Sequence, residues 1–357
     1  MAIAVTFLEQ NKQTPAQMAA QLADFLNAAK TSLHIAIYDF RLSAAVAGPV
    51  VQALQGRAAA GVDVRIAYDC GKPGAAFPGS GADPAPPGTA DFVRRLGDKI
   101  LSKPITGGDP HMPKLMHQKY IVRDGRTPAA TVWTGSTNFT DDSWSLMENN
   151  IIRLDSPELC TYYETDFGEL WDRGDIATTG AHDVGTVMVG GAAVKVAFSP
   201  GEGRSIDLDV AHLIRSARRR LKLCSMLITS GGILGALGDV LEQGGPAEFG
   251  GVYDQTQMAS VVEQWRSGPS AWKIPAFQAV AARLSGKRSQ PYTPTSKHDF
   301  MHNKIVLADD TVITGSYNLS HSAQENAENI LILHDPALAE QYNVYIDGLV
   351  KRYAGQR

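Results

Sequence analysis

The sequence predicts an α/β protein of two pseudo-symmetric lobes, each a mixed β-sheet flanked by helices. Its 357 residues correspond to roughly two domains at about 150 residues each. One set of motifs occurs twice, and each copy mixes strand-like with helix-like segments, a pattern typical of helices packed on sheets. We therefore expect an N-terminal lobe at residues 1–178 and a C-terminal lobe at residues 179–357.

The composition excludes several classes of protein. Charged residues make up 20% and hydrophobic residues 44%, which is ordinary for a globular chain and unlike a disordered or collagen-like one. Lys and Arg total 33 against 37 Asp and Glu, so the net charge of -4 does not favour nonspecific binding to polyanions. The three cysteines lack CxxC spacing, so we predict neither a disulfide framework nor a thiolate zinc site.

No targeting or membrane-spanning segment is predicted. The first residues have neither the basic region nor the apolar segment of a signal peptide. The most apolar stretch, residues 223–241, contains Asp239 and four glycines, which favours a buried strand leading into a helix over a membrane span. We expect a reducing, cytoplasmic location; the alternative is a secretion leader that has already been removed.

The repeat is carried by the pattern HxKxxxxD. It occurs in LMHQKYIVRDG (115–125) and FMHNKIVLADD (300–310), with the histidines 185 residues apart. Downstream, TGSTN (134–138) matches TGSYN (314–318), and Glu-Asn at 148–149 matches 328–329, both at an offset of 180. Upstream, Tyr-Asp at 68–69 matches 253–254. The correspondence therefore covers whole structural units.

Each copy is predicted to contain a strand, a helix, a strand, a connection and three more strands. The first copy places them at 33–38, 44–60, 62–68, 117–123, 130–135 and 149–154; the second at 221–228, 232–243, 249–254, 302–307, 311–315 and 329–334. Residues 71–88 contain ten Gly or Pro, which predicts a surface loop, either a substrate gate or a segment without a role. The copies divide near 176–192, which is rich in small residues.

The repeated side chains are suited to binding and attacking a phosphate. Alternate residues of a strand share a face, which pairs His117 with Lys119 and His302 with Lys304. A buried lysine requires an anionic partner. The turns add neutral donors, and a carboxylate near imidazole Nδ1 would fix its tautomer. The donors are Ser136, Asn138, Ser316 and Asn318, and the acids are Glu148 and Glu328.

Each unit is thus expected to hold a histidine, its own orienting acid and an anion cradle. Two such units facing each other would place two histidines on opposite sides of one phosphorus, one to attack and the other to protonate the leaving oxygen. Because lysines and asparagines can neutralise the remaining oxygens, we expect no metal and no cofactor.

The duplicated HxKxxxxD motif followed by TGSTN and TGSYN resembles the phospholipase D superfamily over roughly residues 30–334. The resemblance implies one active site at the interface of two lobes, a covalent phosphohistidine, and completion by water or an alcohol. It also implies that Asp124 and Asp309 are structural. By analogy with two-motif bacterial phospholipases, His117 is the nucleophile and His302 the general acid and later base; near symmetry leaves the reverse assignment open.

Three functions remain open. The first is metal-independent hydrolysis or transphosphatidylation of a phospholipid or related phosphodiester. The second is a nuclease that cleaves DNA or RNA, and the third a noncatalytic phosphate-binding module. The chain is shorter than secreted phospholipases and lacks the hydrophobic spans expected of cardiolipin synthases. These differences leave the choice between a lipid and a nucleic-acid substrate open. The sequence does not predict the oligomeric state.

Several other residues have simpler interpretations. We expect a basic cluster to be a solvated surface rather than a track for a polyanion; it comprises Arg215, Arg218, Arg219, Arg220 and Lys222, with Lys287, Arg288 and Lys297 as candidate members. Trp133 and Trp144 are expected in the core rather than as a base-stacking platform. A zinc pair of His298 and His302 is disfavoured because the sequence around them does not predict a helix.

Overall fold

Runs of aliphatic residues punctuated by glycine, proline and capping residues give this chain its strands and helices. The computed structural model describes residues 2–70, 88–108, 114–293 and 296–356. Nearly all of the predicted loop at 71–88 lies outside the described residues. Within the described ranges, two large mixed sheets carry helices, so the α/β prediction is confirmed.

The N-terminal lobe is built on a seven-stranded sheet with the strand order β1-β9-β7-β6-β2-β4-β5. Its elements are β1 (Ile3–Leu8), α1 (Pro15–Asn27), β2 (Ser32–Ile37), β3 (Phe40–Arg41), α2 (Ala44–Ala59), β4 (Asp63–Asp69), α3 (Thr89–Arg94), β5 (Leu101–Ile105), β6 (Lys119–Arg123), β7 (Thr131–Gly135), β8 (Phe139–Thr140), α4 (Asp141–Ser145), β9 (Asn149–Asp155) and α5 (Pro157–Arg173). The short strands β3 and β8 pair separately.

The C-terminal lobe is built on an eight-stranded sheet with the order β10-β11-β17-β16-β15-β12-β13-β14. Its elements are β10 (Gly185–Val189), β11 (Ala192–Ser199), α6 (Gly203–Ser216), β12 (Arg220–Ser225), α7 (Gly231–Glu242), β13 (Glu248–Asp254), α8 (Gln255–Arg266), α9 (Lys273–Ala281), β14 (Ser285–Lys287), β15 (Lys304–Ala308), β16 (Thr311–Gly315), a 3₁₀ turn (His321–Gln324), β17 (Glu328–His334) and α10 (Pro336–Tyr353).

The two sheets repeat one topology, as the sequence predicts. In the first, β2 is parallel to β4 and antiparallel to β6; in the second, β12 is parallel to β13 and antiparallel to β15. Each predicted strand and helix is present within a few residues of its expected bounds. One detail differs, because β6 and β15 begin at the motif lysines, so the motif histidines precede their strands.

The lobes share one apolar core. A single cluster of buried residues takes in Tyr120 of β6, Phe167 of α5, Phe198 of β11 and Leu349 of α10. Burying such a surface stabilises the association by roughly 25 cal/mol per Å² of apolar area, so the lobes pack as parts of one body. The division of the chain at residue 178 stays a prediction; β9 ends at Asp155 and β10 begins at Gly185.

Among the residues that the structure describes, no helix combines the length and the apolarity needed to span a bilayer. The apolar stretch at 223–241 forms the end of β12 and most of α7, as predicted. Trp133 and Trp144 are both buried, which confirms their expected place in the core.

Candidate active site

The motif aspartates hold the far ends of the two motif strands. Asp124 and Asp309 adopt positive φ angles of 55° and 50° directly after β6 and β15. Their carboxylates accept hydrogen bonds from the backbone N–H groups of residues 30–32 and 218–220, respectively. Partial burial opposes ionisation, yet these donors lower the pKa of both carboxyl groups. The arrangement supports the structural role that the resemblance implies.

The motif histidines are held in place by backbone hydrogen bonds that cross between the lobes. The N–H of His117 donates to the carbonyl of Ala327 at 2.8 Å, and the N–H of His302 donates to the carbonyl of Glu148 at 3.0 Å. Each segment before a motif strand therefore pairs with the segment before the last strand of the opposite lobe. This pairing brings both histidines to the interface.

Two further repeated acids fix the same segments. The buried carboxylate of Asp69 accepts from the N–H of Met116 at 2.9 Å, and that of Asp254 accepts from the N–H of Met301 at 3.0 Å. Sequence reasoning identified these aspartates as part of the repeat but assigned them no role. The position was the available signal, because each acid ends a strand that is separated from the motif strand by one other strand of the sheet.

The imidazole of His117 is oriented by an acid of the other lobe. Its Nδ1 lies 2.7 Å from Oε2 of Glu328, a fully buried carboxylate. A carboxylate acceptor keeps the proton on Nδ1 and leaves Nε2 with a free lone pair. The expectation that each lobe supplies its own orienting acid is therefore wrong, because the crossed backbone pairing places Glu328 beside His117.

The imidazole of His302 has a neutral partner. Its Nδ1 lies 2.9 Å from Oδ1 of Asn149, which also accepts from the hydroxyl of Ser136 at 2.7 Å. An amide oxygen fixes the same tautomer but provides no negative charge. The two halves of the site therefore differ electrostatically although their motifs match.

Glu148 does not reach the ring of His302. Its Oε1 lies 3.5 Å from both Lys287 Nζ and Arg352 Nη1, and it accepts from the hydroxyl of Tyr353. The sequence placed Glu148 among the catalytic residues; in the structure its side chain pairs with the buried Lys287 and the partly exposed Arg352. Only its backbone carbonyl serves the motif histidine.

The motif lysines lie one layer beneath the histidines. Lys119 Nζ donates to the carbonyl of His117 at 2.8 Å, and Lys304 Nζ donates to the carbonyl of His302 at 2.6 Å. Both lysines are 1% exposed. Burial lowers the pKa of Lys119 to about 7, although Glu328 opposes this, and burial also lowers the pKa of Lys304. A bound anion would restore the charge of both ammonium groups.

One cavity of about 290 Å³ joins the two halves. His117, His302, Asn138 and Asn318 all line it, as sequence analysis expected of one shared pocket. The side-chain oxygens of both asparagines have no hydrogen-bond partner among the described residues. The remaining lining is largely apolar or aromatic: Tyr38, Asp39, Arg41, Leu115, Met147, Met226, Leu227, Tyr292, His298 and Phe300.

Ser136 and Ser316 do not line this cavity. Both are fully buried. The hydroxyl of Ser136 accepts a hydrogen bond from the N–H of Asn150 in β9, and that of Ser316 accepts one from the N–H of Asn329 in β17. Their expected role in binding substrate is therefore replaced by a role in shaping the turn. Gly135 is required there, because its φ is 141° and an added Cβ would lie 2.2 Å from the carbonyl oxygen of Asn150.

Burial also determines the protonation state of the two motif histidines. It lowers the pKa of His117 and His302 well below the usual value, and the motif lysines add to the effect. Burial raises the pKa of Glu328 to about 8, with Lys119 opposing. Near pH 7 both rings are therefore neutral, which suits a nucleophile, and Glu328 carries its full negative charge once positive charge develops on the neighbouring imidazole.

Sequence reasoning missed most of the cavity wall. Tyr38 and Met226 directly follow β2 and β12, and His298 stacks on Phe300. The signal for the first two was their place at the ends of equivalent central strands, where sites in α/β sheets commonly form. His298 also contacts the carbonyl of Thr293 at 2.8 Å rather than pairing with His302 as a zinc ligand.

The basic cluster is largely neutralised by nearby acids. Four of its members form ion pairs at 2.7 Å, and Lys287 is buried beside Glu148. The pairs are Arg215 with Asp239, Arg219 with Asp310, Arg220 with Glu340, and Lys222 with Asp347. Arg220 and Lys222 lie on β12 rather than on a helix, and no member of the cluster lines the catalytic cavity.

A family model described as "Cardiolipin synthase, PLD-like domain" matches residues 22–171 and 210–350, one match in each lobe. The chain belongs to the phospholipase D superfamily. A crystal structure of phosphatidylserine synthase from Haemophilus influenzae shares the fold, with a TM-score of 0.66 and 14% identity over 98% of this chain and 86% of that chain. Polyphosphate kinase from Porphyromonas gingivalis shares it with a TM-score of 0.60 and 11% identity, over 97% of this chain and 46% of that chain.

A curated relative carries the name phospholipase D and comes from Rickettsia conorii. It is 49% identical over 43 residues, which is 12% of this chain and 22% of the relative. The match thus spans about a fifth of the relative's length. Membership of the superfamily and the duplicated lobes are confirmed by the family match and the sheets.

Proposed function

We propose that this protein is a metal-independent phosphodiesterase of phospholipase D type that works through a covalent phosphohistidine. The single observation that supports it most is the shared cavity, which presents both motif histidines and both turn asparagines to one ligand. The superfamily consists mostly of proteins that act on phosphodiesters, and the geometry of this cavity suits that chemistry.

In the first step, Nε2 of His117 attacks phosphorus while the bond from phosphorus to the leaving oxygen breaks. His302, protonated on Nε2 once the anionic substrate is bound, gives that proton to the leaving oxygen and releases an alcohol. The phosphorylated imidazole of His117 is cationic, and Glu328 at 2.7 Å from Nδ1 stabilises it. This difference between the rings supports His117 as nucleophile, because His302 has only Asn149 at Nδ1.

In the second step, water or an alcohol attacks the phosphorus and the bond to His117 breaks. The neutral His302 takes the proton of the incoming oxygen. Water gives a phosphomonoester, and an alcohol gives a new diester. Asn138 and Asn318 are placed to donate to the phosphoryl oxygens, while Lys119 and Lys304 supply positive charge from beneath.

The cavity favours a phospholipid or a related small phosphodiester over nucleic acid. Leucine, methionine and phenylalanine side chains form much of its wall, which suits an apolar substituent. A nuclease would need a continuous basic groove to follow the phosphate backbone. In the cluster from Arg215 to Lys222, four of the five basic side chains instead form ion pairs with acids of this chain.

The test is a screen of the EDTA-treated full chain on bis-p-nitrophenyl phosphate, phosphatidylcholine and phosphatidylglycerol vesicles with and without glycerol, and single- and double-stranded DNA and RNA. We expect lipid turnover that His117→Ala abolishes. DNA or RNA cleavage without lipid turnover would support the nuclease instead. Tight phosphodiester binding without turnover of any substrate would support the noncatalytic module.

We also infer a reducing, cytoplasmic location. Cys160 and Cys224 are buried free thiols, and burial raises the pKa of all three cysteine thiols, that of Cys70 included. Protonated, mostly buried thiols are compatible with a protein that forms no disulfides. Fractionation of cells that produce the chain from its own promoter would test this inference.

A further inference from the structure

Three carboxylates outside the catalytic cavity lie together where α5 meets the connection to the second lobe. Asp166 and Glu169 are about one turn apart on α5, and Asp183 precedes β10 by two residues. One oxygen of each acid lies within 4.8 Å of the other two. We call this group the acidic site.

The acidic site lacks the donors that buried carboxylates require. Asp166 and Asp183 are fully buried. Both carboxylate oxygens of Asp183, Oδ1 of Asp166 and Oε2 of Glu169 have no hydrogen-bond partner within the described parts of the chain. The remaining oxygen of Asp166, Oδ2, accepts a hydrogen bond from the hydroxyl of Tyr120 at 2.6 Å. Leaving buried carboxylates unpartnered is strongly unfavourable.

Among the described residues, the other buried acids each have at least one carboxylate oxygen that accepts a hydrogen bond or contacts a histidine, whereas neither oxygen of Asp183 does. Asp124 receives three backbone N–H groups, and Glu328 contacts His117. At the acidic site, by contrast, four carboxylate oxygens of the three neighbouring acids lack a hydrogen-bond partner among the described residues. The enclosed negative charge must therefore be compensated either by protons or by a cation.

We propose that the acidic site binds a divalent cation of the hard, oxygen-preferring class, with Ca²⁺ as the best fit. Ca²⁺ takes six to eight oxygens in flexible geometry and accepts bidentate carboxylates. Both oxygens of Asp183 are available for that mode, and the half-buried Glu169 leaves room for water to complete the shell. Protonation of the acids would cancel their negative charge, but the oxygens of Asp183 would then find hydrogen-bond donors only among the protonated acids of the same site.

A bound cation would join α5, which packs in the shared core, to the segment that leads into the C-terminal lobe. It would therefore stabilise the junction of the lobes without entering the catalytic step. None of the three acids lines the catalytic cavity. Cation binding at this site and turnover in EDTA are therefore independent measurements.

The test uses the full chain after dialysis against EDTA and removal of the chelator. Isothermal titration with Ca²⁺ and with Mg²⁺ should show one site per chain with Ca²⁺ binding tighter. Terbium luminescence excited through Tyr120 should rise on Tb³⁺ addition and fall when Ca²⁺ displaces it. At 100-fold excess over Kd, Ca²⁺ should raise the melting temperature by about 3 °C.

Asp183→Asn should weaken Ca²⁺ binding at least ten-fold, whereas Asp172→Asn, at an exposed acid of the same helix, should leave it unchanged. Failure of the folded wild-type chain to bind either cation below 1 mM would overturn the proposal. Equal binding by wild type and a folded Asp183→Asn variant would also overturn it. If Asp183→Asn does not fold, the Tyr120→Phe variant decides, because it should bind Ca²⁺ but lose the terbium signal.

Discussion

Replacing Glu328 by glutamine should remove most of the activity, although replacing its repeat partner Glu148 should not. Glutamine preserves the shape and an acceptor for His117 Nδ1 but removes the negative charge at 2.7 Å. A hydrogen bond to a charged group contributes about 1.5 to 3 kcal/mol, more than a neutral one. At about 1.36 kcal/mol for each factor of ten, the expected loss in kcat is about 10- to 160-fold.

The matched control is Glu148→Gln. Its side chain lies among Lys287, Arg352 and Tyr353, so its loss leaves the buried Lys287 without its acid. We expect kcat within about three-fold of wild type and a loss of about 3 kcal/mol in the free energy of unfolding, as for other broken buried ion pairs. The assay is steady-state hydrolysis of bis-p-nitrophenyl phosphate, with urea unfolding of both variants. Equal losses of activity in the two variants would refute the assignment of the orienting acid.

Three further predictions concern the same site. His302→Ala should release a burst of one nitrophenol per chain and then stall, because nitrophenolate leaves without a proton but the phosphohistidine awaits a base; a burst in His117→Ala instead would reverse the two roles. Asp124→Asn, whose side chain tolerates φ of 55°, should lose about 1 to 2 kcal/mol of stability but little activity. Because hydrogen bonds lower the pKa of Asp124, that loss should be full above about pH 4 and should shrink below it, as measured by urea unfolding at several pH values. Finally, kcat/KM should decrease as pH rises through about 7, where Lys119 of the free enzyme loses its proton, before ionisation of Glu328 near pH 8 opposes the decrease; a profile that stays flat from pH 6 to 8 would contradict this.

The sequence predicted the repeated parts of this fold well, for physical reasons that particular residues illustrate. A segment buried on both faces, such as residues 305–308 of β15, must be a run of apolar residues, and a tight turn such as the one at Gly135 must carry glycine. A single occurrence of either pattern would be ambiguous, but the two copies in register support the same assignment of strands and turns. The structural role of the motif aspartates was implied by the resemblance alone, and the structure gives its physical reason: each carboxylate accepts backbone N–H groups from a neighbouring segment.

The partners of the histidines could not be predicted in the same way. His117 and His302 have the same local sequence pattern, but which acid reaches each ring depends on how the lobes dock. Glu148 turns toward Lys287, a residue outside the repeat, and no local pattern encodes that choice. The same holds for the cavity wall, since Tyr292 comes from a connection whose path is set by tertiary packing.

The crossed hydrogen bonds from His117 to Ala327 and from His302 to Glu148 have a consequence for how such a molecule can change. Each lobe supplies a backbone acceptor for the motif histidine of the other lobe, and the C-terminal lobe also supplies the carboxylate of Glu328 to His117. A substitution that moves the backbone at Ala327 therefore acts first on His117, in the opposite lobe. The sequences of the two lobes are constrained jointly, although they arose as copies of one unit.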